Sequence, residues 1–298
     1  MTSRAFGNRS GRAAFLCYHS ITEGGPPFLS LPPEPFERQL AALRRRGWSS
    51  GDRASLDALA SGRPREAPRA YLTFDDGYVD NYTNAFPLLR EHGWSAFVFV
   101  LPDLVDREAT FAWPEVAEHA ESHPQIMRSL GWPMVEEMAA AGIEFGSHTC
   151  SHAHLNRLED EALRQELHDS RSRLRERLGR CDVLAYPFGE WDPRVAQAAA
   201  AAGYRFAFSV RNGRGQPDGV LSIPRVAVDH RDGAARFSLK LSRPGRRLVL
   251  SQWKDSLDHA RSRRGGSPPV ERPTAAPDAD RSPAATVSVP TDREVPRR

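Results

Sequence analysis

Three cysteines in 298 residues leave little for disulfides to do. Cys17, Cys150 and Cys181 are odd in number, none falls in a Cys-x-x-Cys pair, and a chain of this length needs no covalent staple. Such sparse usage suits a reducing compartment. Long hydrophobic runs are missing too. Residues 1–12 are polar and basic, the apolar run Ala13 to Tyr18 is too short for a secretory core, and nothing later has the length of a membrane span. These absences predict a soluble, cytoplasmic protein without a transmembrane segment. A basic face is also absent. Net charge is only +3, and from Lys240 onward 13 Lys/Arg stand against 7 Asp/Glu, so the excess belongs to the tail. Without basic residues clustered among aromatic platforms, nucleic acid is not an expected partner.

What is present is enough apolar residue, 40%, for one sizeable core. Short apolar runs at 14–18, 70–74, 95–101, 143–145, 183–185, 204–210 and 221–228 predict strands. Between them lie helical stripes: Phe36, Leu40 and Leu43, then 85–89 closing at Gly93, 134–141 closing at Gly142, 159–178, and 193–202 closing at Gly203. Six or seven strand–helix units in alternation imply an α/β fold with a parallel sheet, open or closed into a barrel. The predicted organisation is a disordered N-terminus (1–12), a catalytic barrel (13–240), a helical extension (241–262, helix at 248–259) and a disordered tail (263–298). Residues 103–132 are less periodic and predict a lid or insertion over the strand ends.

Chemistry collects at strand ends. Asp75-Asp76-Gly77 closes the 70–74 strand, at the end where α/β proteins bind ligands. Two carboxylates there can divide labour, one binding a cation and one moving a proton. Alone, the same triplet also reads as a solvated turn. His148 and His152 follow another strand at a spacing that suits two imidazoles on one metal. His119 and His123 repeat that spacing in a polar segment with no strand feeding them, and are read as structural. Two imidazoles and a carboxylate make a facial set with open coordination positions.

Thr73-Phe-Asp-Asp-Gly77, His148-x-x-x-His152 and Tyr186-Pro-Phe-Gly189, in that order, resemble the successive motifs of the NodB-type polysaccharide deacetylases. The resemblance runs from about Phe15 to Val228, and Leu16-Cys-Tyr-His-Ser-Ile21 is similar to a leading segment of one branch. It implies a distorted (β/α)7 barrel that removes acetyl groups from N-acetylated amino sugars with a divalent metal ion, Zn2+ foremost. It implies Asp75 as general base and Asp76, His148 and His152 as metal ligands. The Phe188 amide is the expected oxyanion donor, since Pro187 has no N–H. Tyr186, Trp191 and His19 are candidate substrate contacts, with core roles open for Trp191 and His19. The expected partner is an N-acetylated glycan or glycan precursor.

The sequence departs from the family pattern. Many members carry arginine where Ala185 stands, and Arg225 is expected to replace it from a neighbouring strand. The usual late Leu-x-x-His is missing, which leaves His230 and His154 as candidate general acids. Cys150 is read as a small filler. Alternatives at this stage are a hydrolase of O-acetyl esters or small cyclic amides on the same scaffold, and a glycan-binding module without turnover.

Overall fold

The computed structural model describes residues 13–63, 67–210 and 219–242. The expected disordered N-terminus, the helix expected at 248–259 and the tail beyond it lie outside the described residues. The chain opens on β1 (Ala13–Tyr18), α1 (Pro33–Arg45), β2 (Ser49–Ser50), α2 (Arg53–Ala60) and β3 (Arg69–Phe74). A π-helical turn, Asn81–Ala85, runs into α3 (Phe86–Glu91) and β4 (Phe97–Val100). Then come α4 (Pro102–Val105), α5 (Ala117–Ser122), α6 (Trp132–Ala140), β5 (Glu144–Ser147), α7 (Asp160–Leu178) and β6 (Val183–Ala185). The last elements are α8 (Pro193–Ala202), β7 (Phe206–Ser209), β8 (Ile223–Pro224), β9 (Val226–Ala227) and α9 (Ala234–Leu241).

Local chemistry explains the boundaries. Helix α1 starts on prolines and buries Phe36, Gln39, Leu40 and Leu43, one stripe of a 3.6-residue period. Asp192 caps α8 by accepting from the Val195 amide, Pro193 follows at the first helical position, and Gly203 ends the helix at φ 95°. Helices α2 and α9 were not foreseen. The signal for α2 is a reciprocal cap: Asp52 accepts from the Ser55 amide while the Ser55 hydroxyl accepts from the Asp52 amide.

The nine strands form one sheet in the order β8-β7-β6-β5-β4-β3-β1-β9, with β2 beside β3, and every pairing is parallel. The strand expected at 221–228 is two short ladders. Ile223 and Pro224 pair with Phe208 and Ser209 of β7, whereas Val226 and Ala227 pair with Leu16 and Cys17 of β1. One five-residue segment therefore bridges the two ends of the sheet, with Arg225 at its centre. This nearly closes the parallel sheet into a distorted (β/α)7 barrel.

Side-chain alternation sorts the strands into two cores. Phe15, Tyr71, Phe97, Phe99, Val183, Ala185, Phe206, Phe208 and Ile223 fill the barrel. The intervening residues, among them Leu16, Leu72, Val98, Leu184 and Val226, pack outward with the helices. The insertion expected at 103–132 is present and has a small core of its own, with Phe111, Val116 and Met127 packed on Tyr78 and Leu101. It is tied to the loop after β3 through Leu130 N to Gly77 O at 2.8 Å. Among the described residues no helix is long and apolar enough to cross a membrane.

Candidate active site

Strand β3 points Tyr71 and Thr73 inward, and the same alternation turns Asp75 into the mouth of the barrel, its amide still donating to Tyr18 O at 3.0 Å. Asp76 would face outward by that rule, but its backbone is left-handed (φ 69°), as is Gly77 (φ 75°). The reversal brings both carboxylates to the same region. A non-glycine residue in this conformation costs about 1–3 kcal/mol. Of the five described non-glycine residues with positive φ, Asp76, Thr149, His152 and Phe188 all belong to the site motifs and their immediate neighbours. Backbone strain is concentrated where the motifs meet.

Asp76, His148 and His152 converge. Nε2 of His148 lies 3.3 Å, and Nε2 of His152 3.5 Å, from Oδ1 of Asp76. That oxygen is buried and has no hydrogen-bond partner, a state that is costly without a cation. The spacing suits one: two N/O ligands at 2.0–2.1 Å from a tetrahedral ion stand about 3.4 Å apart. The donor set and its geometry fit a divalent metal. Nδ1 of His148 donates to the Ala185 carbonyl at 2.8 Å, which aims Nε2 at the site. Burial pulls the His152 imidazole down to about 3 against the opposing charge of Asp76, so the ring is neutral and can ligate. Burial would raise Asp76, but the facing His148, His152 and His19 imidazoles hold its carboxyl below the usual range.

Asp75 is held differently. Arg225 Nη1 donates to its Oδ1 at 2.6 Å and Nη2 to its Oδ2 at 2.7 Å. Nη1 also donates to Thr73 Oγ1 at 2.9 Å, and the guanidinium lies over Phe99 and Phe208 at 5.5 and 5.8 Å. Burial would raise the Asp75 carboxyl; the guanidinium and His148 overcome this and keep it ionised well below the ordinary range. Arg225 does reach Asp75, but from the segment between β8 and β9, which pair with β7 and β1 and not with β3. Cys17, which carried no signal beyond its place in β1, sits with its Sγ 3.4 Å from Asp75 Oδ2. His19 joins the same group, its ring nitrogen within 4.8 Å of the Cys17 thiol and the Asp75 carboxylate, and burial lowers its imidazole.

Phe188 occupies a one-turn 3-10 helix at φ 57° and stacks on His154, with centroids 3.9 Å and planes 11° apart. His154 Nδ1 is hydrogen-bonded to Glu190 at 2.9 Å. The Phe188 backbone is left-handed there and not helical, which sets its amide apart from a helix's own hydrogen-bond pattern. Trp113, unforeseen, stacks on His152 from the insertion at 4.5 Å.

Other candidates are not brought in. Tyr186 is fully buried in the outer core, its hydroxyl donates to Leu221 O at 3.0 Å, and Trp191 stacks on it there at 6.3 Å. The substrate contact expected of Tyr186 is corrected accordingly: in the strand alternation it follows Leu184 outward. His230 lies exposed against Pro27 O. His119 and His123 neighbour each other and not the site, and the Cys150 thiol turns to Glu166 O.

The sequence profile of the polysaccharide deacetylase family matches residues 62–207. The YxkH protein of Bacillus subtilis (strain 168), whose name places it among the polysaccharide deacetylases, is 28% identical over 224 residues, 74% of this chain and 72% of that protein. The poly-β-1,6-N-acetyl-D-glucosamine N-deacetylase of Escherichia coli (strain K12) is 25% identical over 256 residues, 76% of this chain but only 38% of the E. coli protein. The solved structure of Streptococcus pyogenes deacetylase PplD shares the fold, with a TM-score of 0.62 at 23% identity over 73% of this chain and 92% of that one. With its motifs gathered at the mouth of that barrel, the chain carries the sequence profile of the polysaccharide deacetylases over residues 62–207 and the fold of a solved deacetylase.

Proposed function

We propose that the protein is a metal-dependent hydrolase that removes the acetyl group from an N-acetylated amino sugar within a glycan. The observation that carries this reading is the pairing of two functions on adjacent carboxylates. Asp76, with His148 and His152, offers a cation-binding face, while Asp75 beside it is an ionised carboxylate engaged on both oxygens by Arg225. The named activity of the E. coli relative supports an N-acetyl sugar as substrate class.

A divalent ion, Zn2+ in our reading, would supply Lewis acidity toward the amide carbonyl and a lowered pKa for water. The chain supplies the rest. Asp75 accepts the proton of the attacking water; Arg225 takes one direction of each carboxylate oxygen and the Cys17 thiol approaches Oδ2, which leaves the second lone pair of Oδ1 for the water. The Phe188 amide donates to the carbonyl oxygen as it gains charge. His154, oriented by Glu190, is favoured over the solvent-facing His230 to protonate the departing nitrogen. Water adds to the carbonyl carbon, the C–N bond breaks, and acetate and a free amine leave.

The test is acetate release from defined N-acetyl glycans, chitooligosaccharides and β-1,6-linked N-acetylglucosamine oligomers among them, with and without chelator. Acetylated xylan and small amides serve as competitors. Chelator-sensitive release from the N-acetyl sugars is the expected result. Release only from the xylan ester or small amides would move the activity to another bond, and none from any substrate by a metal-loaded protein would end the enzymatic reading.

A further inference from the structure

The two imidazoles of the candidate metal site are secured by different means. His148 is anchored through Nδ1 on the Ala185 carbonyl at 2.8 Å. The corresponding nitrogen of His152 is buried with no hydrogen-bond partner, and the His152 backbone is left-handed at φ 62°. Rings hold it instead. The Trp113 indole lies nearly parallel to the imidazole, with centroids 4.5 Å and planes 13° apart. The Phe188 ring meets it at 4.5 Å and 61°. Phe188 is itself stacked on His154, which Glu190 fixes. Four rings ending on a carboxylate form a continuous ladder, and Trp113 is the rung supplied by the insertion, where Phe111 backs it at 5.0 Å.

We propose that Trp113 is a positioning residue for the metal centre: its indole sets the plane of His152 and thereby the direction of Nε2. It takes the part that the Ala185 carbonyl plays for His148. The inference rests on Asp76, His148 and His152 being the metal-binding set. An imidazole with neither a hydrogen-bonded outer nitrogen nor a packed face would sample several ring orientations, only some of which point Nε2 toward Asp76. Loss of an outer partner of a ligating histidine typically weakens metal binding about 10- to 100-fold.

The experiment measures Zn2+ and Co2+ affinity of the full chain by chelator competition, together with the visible absorption of the Co2+ form. The variants are Trp113→Ala, Trp113→Phe and Met127→Ala. Met127 packs in the same small core as Trp113 and reports loosening of the insertion alone. Trp113→Ala is expected to bind about 10-fold more weakly with an altered Co2+ spectrum, Trp113→Phe to stay within about 3-fold of wild type, and Met127→Ala to match wild type. Equal affinity in Trp113→Ala and wild type overturns the proposal, as does an equal loss in Met127→Ala. Wild-type protein that binds neither ion overturns the metal reading itself, a distinguishable failure. Circular dichroism of the metal-free proteins verifies folding. Should Trp113→Ala not fold, Trp113→Leu replaces it, filling the space without a ring, and wild-type affinity there counts against the proposal.

Discussion

Arg225 and Asp75 form a two-pronged salt bridge, Nη1 to Oδ1 at 2.6 Å and Nη2 to Oδ2 at 2.7 Å, with the arginine fully buried. Removing one partner strands a charge in the barrel, which typically costs 3–5 kcal/mol, far more than losing a surface pair. Arg225→Ala should therefore lower unfolding free energy by about 3–5 kcal/mol in urea titrations and depress turnover. Arg225→Lys should recover only part of both, because an ammonium cannot make the fork. A near-wild-type urea midpoint for Arg225→Ala would contradict the assignment.

Asp75→Asn separates proton transfer from ion binding. Turnover should fall about 100- to 10,000-fold, the usual worth of a positioned base, with metal affinity changed by no more than a few fold. Loss of the metal instead would make Asp75 a ligand.

Metal and stability should be linked through Asp76. Ligand present at about 100 times its dissociation constant stabilises a protein by about 2.7 kcal/mol. Added Zn2+ should raise the thermal midpoint of wild type and leave that of Asp76→Ala unmoved, while chelator dialysis should abolish acetate release reversibly. A wild-type midpoint indifferent to metal is the adverse result.

Asp80 gives a pH dependence. Burial raises its carboxyl to about 6 despite donors from Ser20, the Ile21 amide and Asn81. The folded state thus holds this proton more tightly than the unfolded chain. The stabilisation is complete below the unfolded value of 3.8 and is lost as pH rises through about 6. A shift of this size corresponds to about 3 kcal/mol. Urea titrations from pH 4.5 to 7 should show that slope in wild type and its absence in Asp80→Asn. Parallel curves for the two proteins would refute it.

Gly189 follows the strained Phe188 and is left-handed itself at φ 62°; a Cβ there would fall 2.2 Å from Val210 Cγ2 and 2.7 Å from its backbone nitrogen. Gly189→Ala should destabilise by about 1–3 kcal/mol and lower turnover by shifting the Phe188 amide. Unchanged stability would show that the turn can relax.

The parallel α/β sheet and the ligand motifs were legible because both are written locally, whereas closure into a barrel followed from the resemblance. Apolar runs of strand length alternate with helical stripes, and Asp75, Asp76, His148 and His152 sit where strands end. Arg225 was named only through the resemblance, whose pattern has an arginine where Ala185 stands. Tyr186 could have been placed from the sequence as well: Val183 and Ala185 point inward, so Leu184 and Tyr186 point out. Its motif position outweighed that rule. Trp113 and Cys17 were not legible. Trp113 belongs to a weakly periodic insertion whose path depends on packing against Tyr78 and Leu101, and the Cys17 contact with Asp75 spans 58 positions across a parallel pairing. Contacts of that kind follow from register, which no short window contains.

The five residues from Ile223 to Ala227 work as a keystone. They arrive after every other stave of the sheet, pair with β7 on one side and β1 on the other, and carry the guanidinium that seats Asp75. Until a nascent chain has released them, β1 and β7 stand as open edges and the carboxylate has no counter-charge. If Asp75 is the base proposed above, hydrolytic competence and topological completion would arrive in a single event.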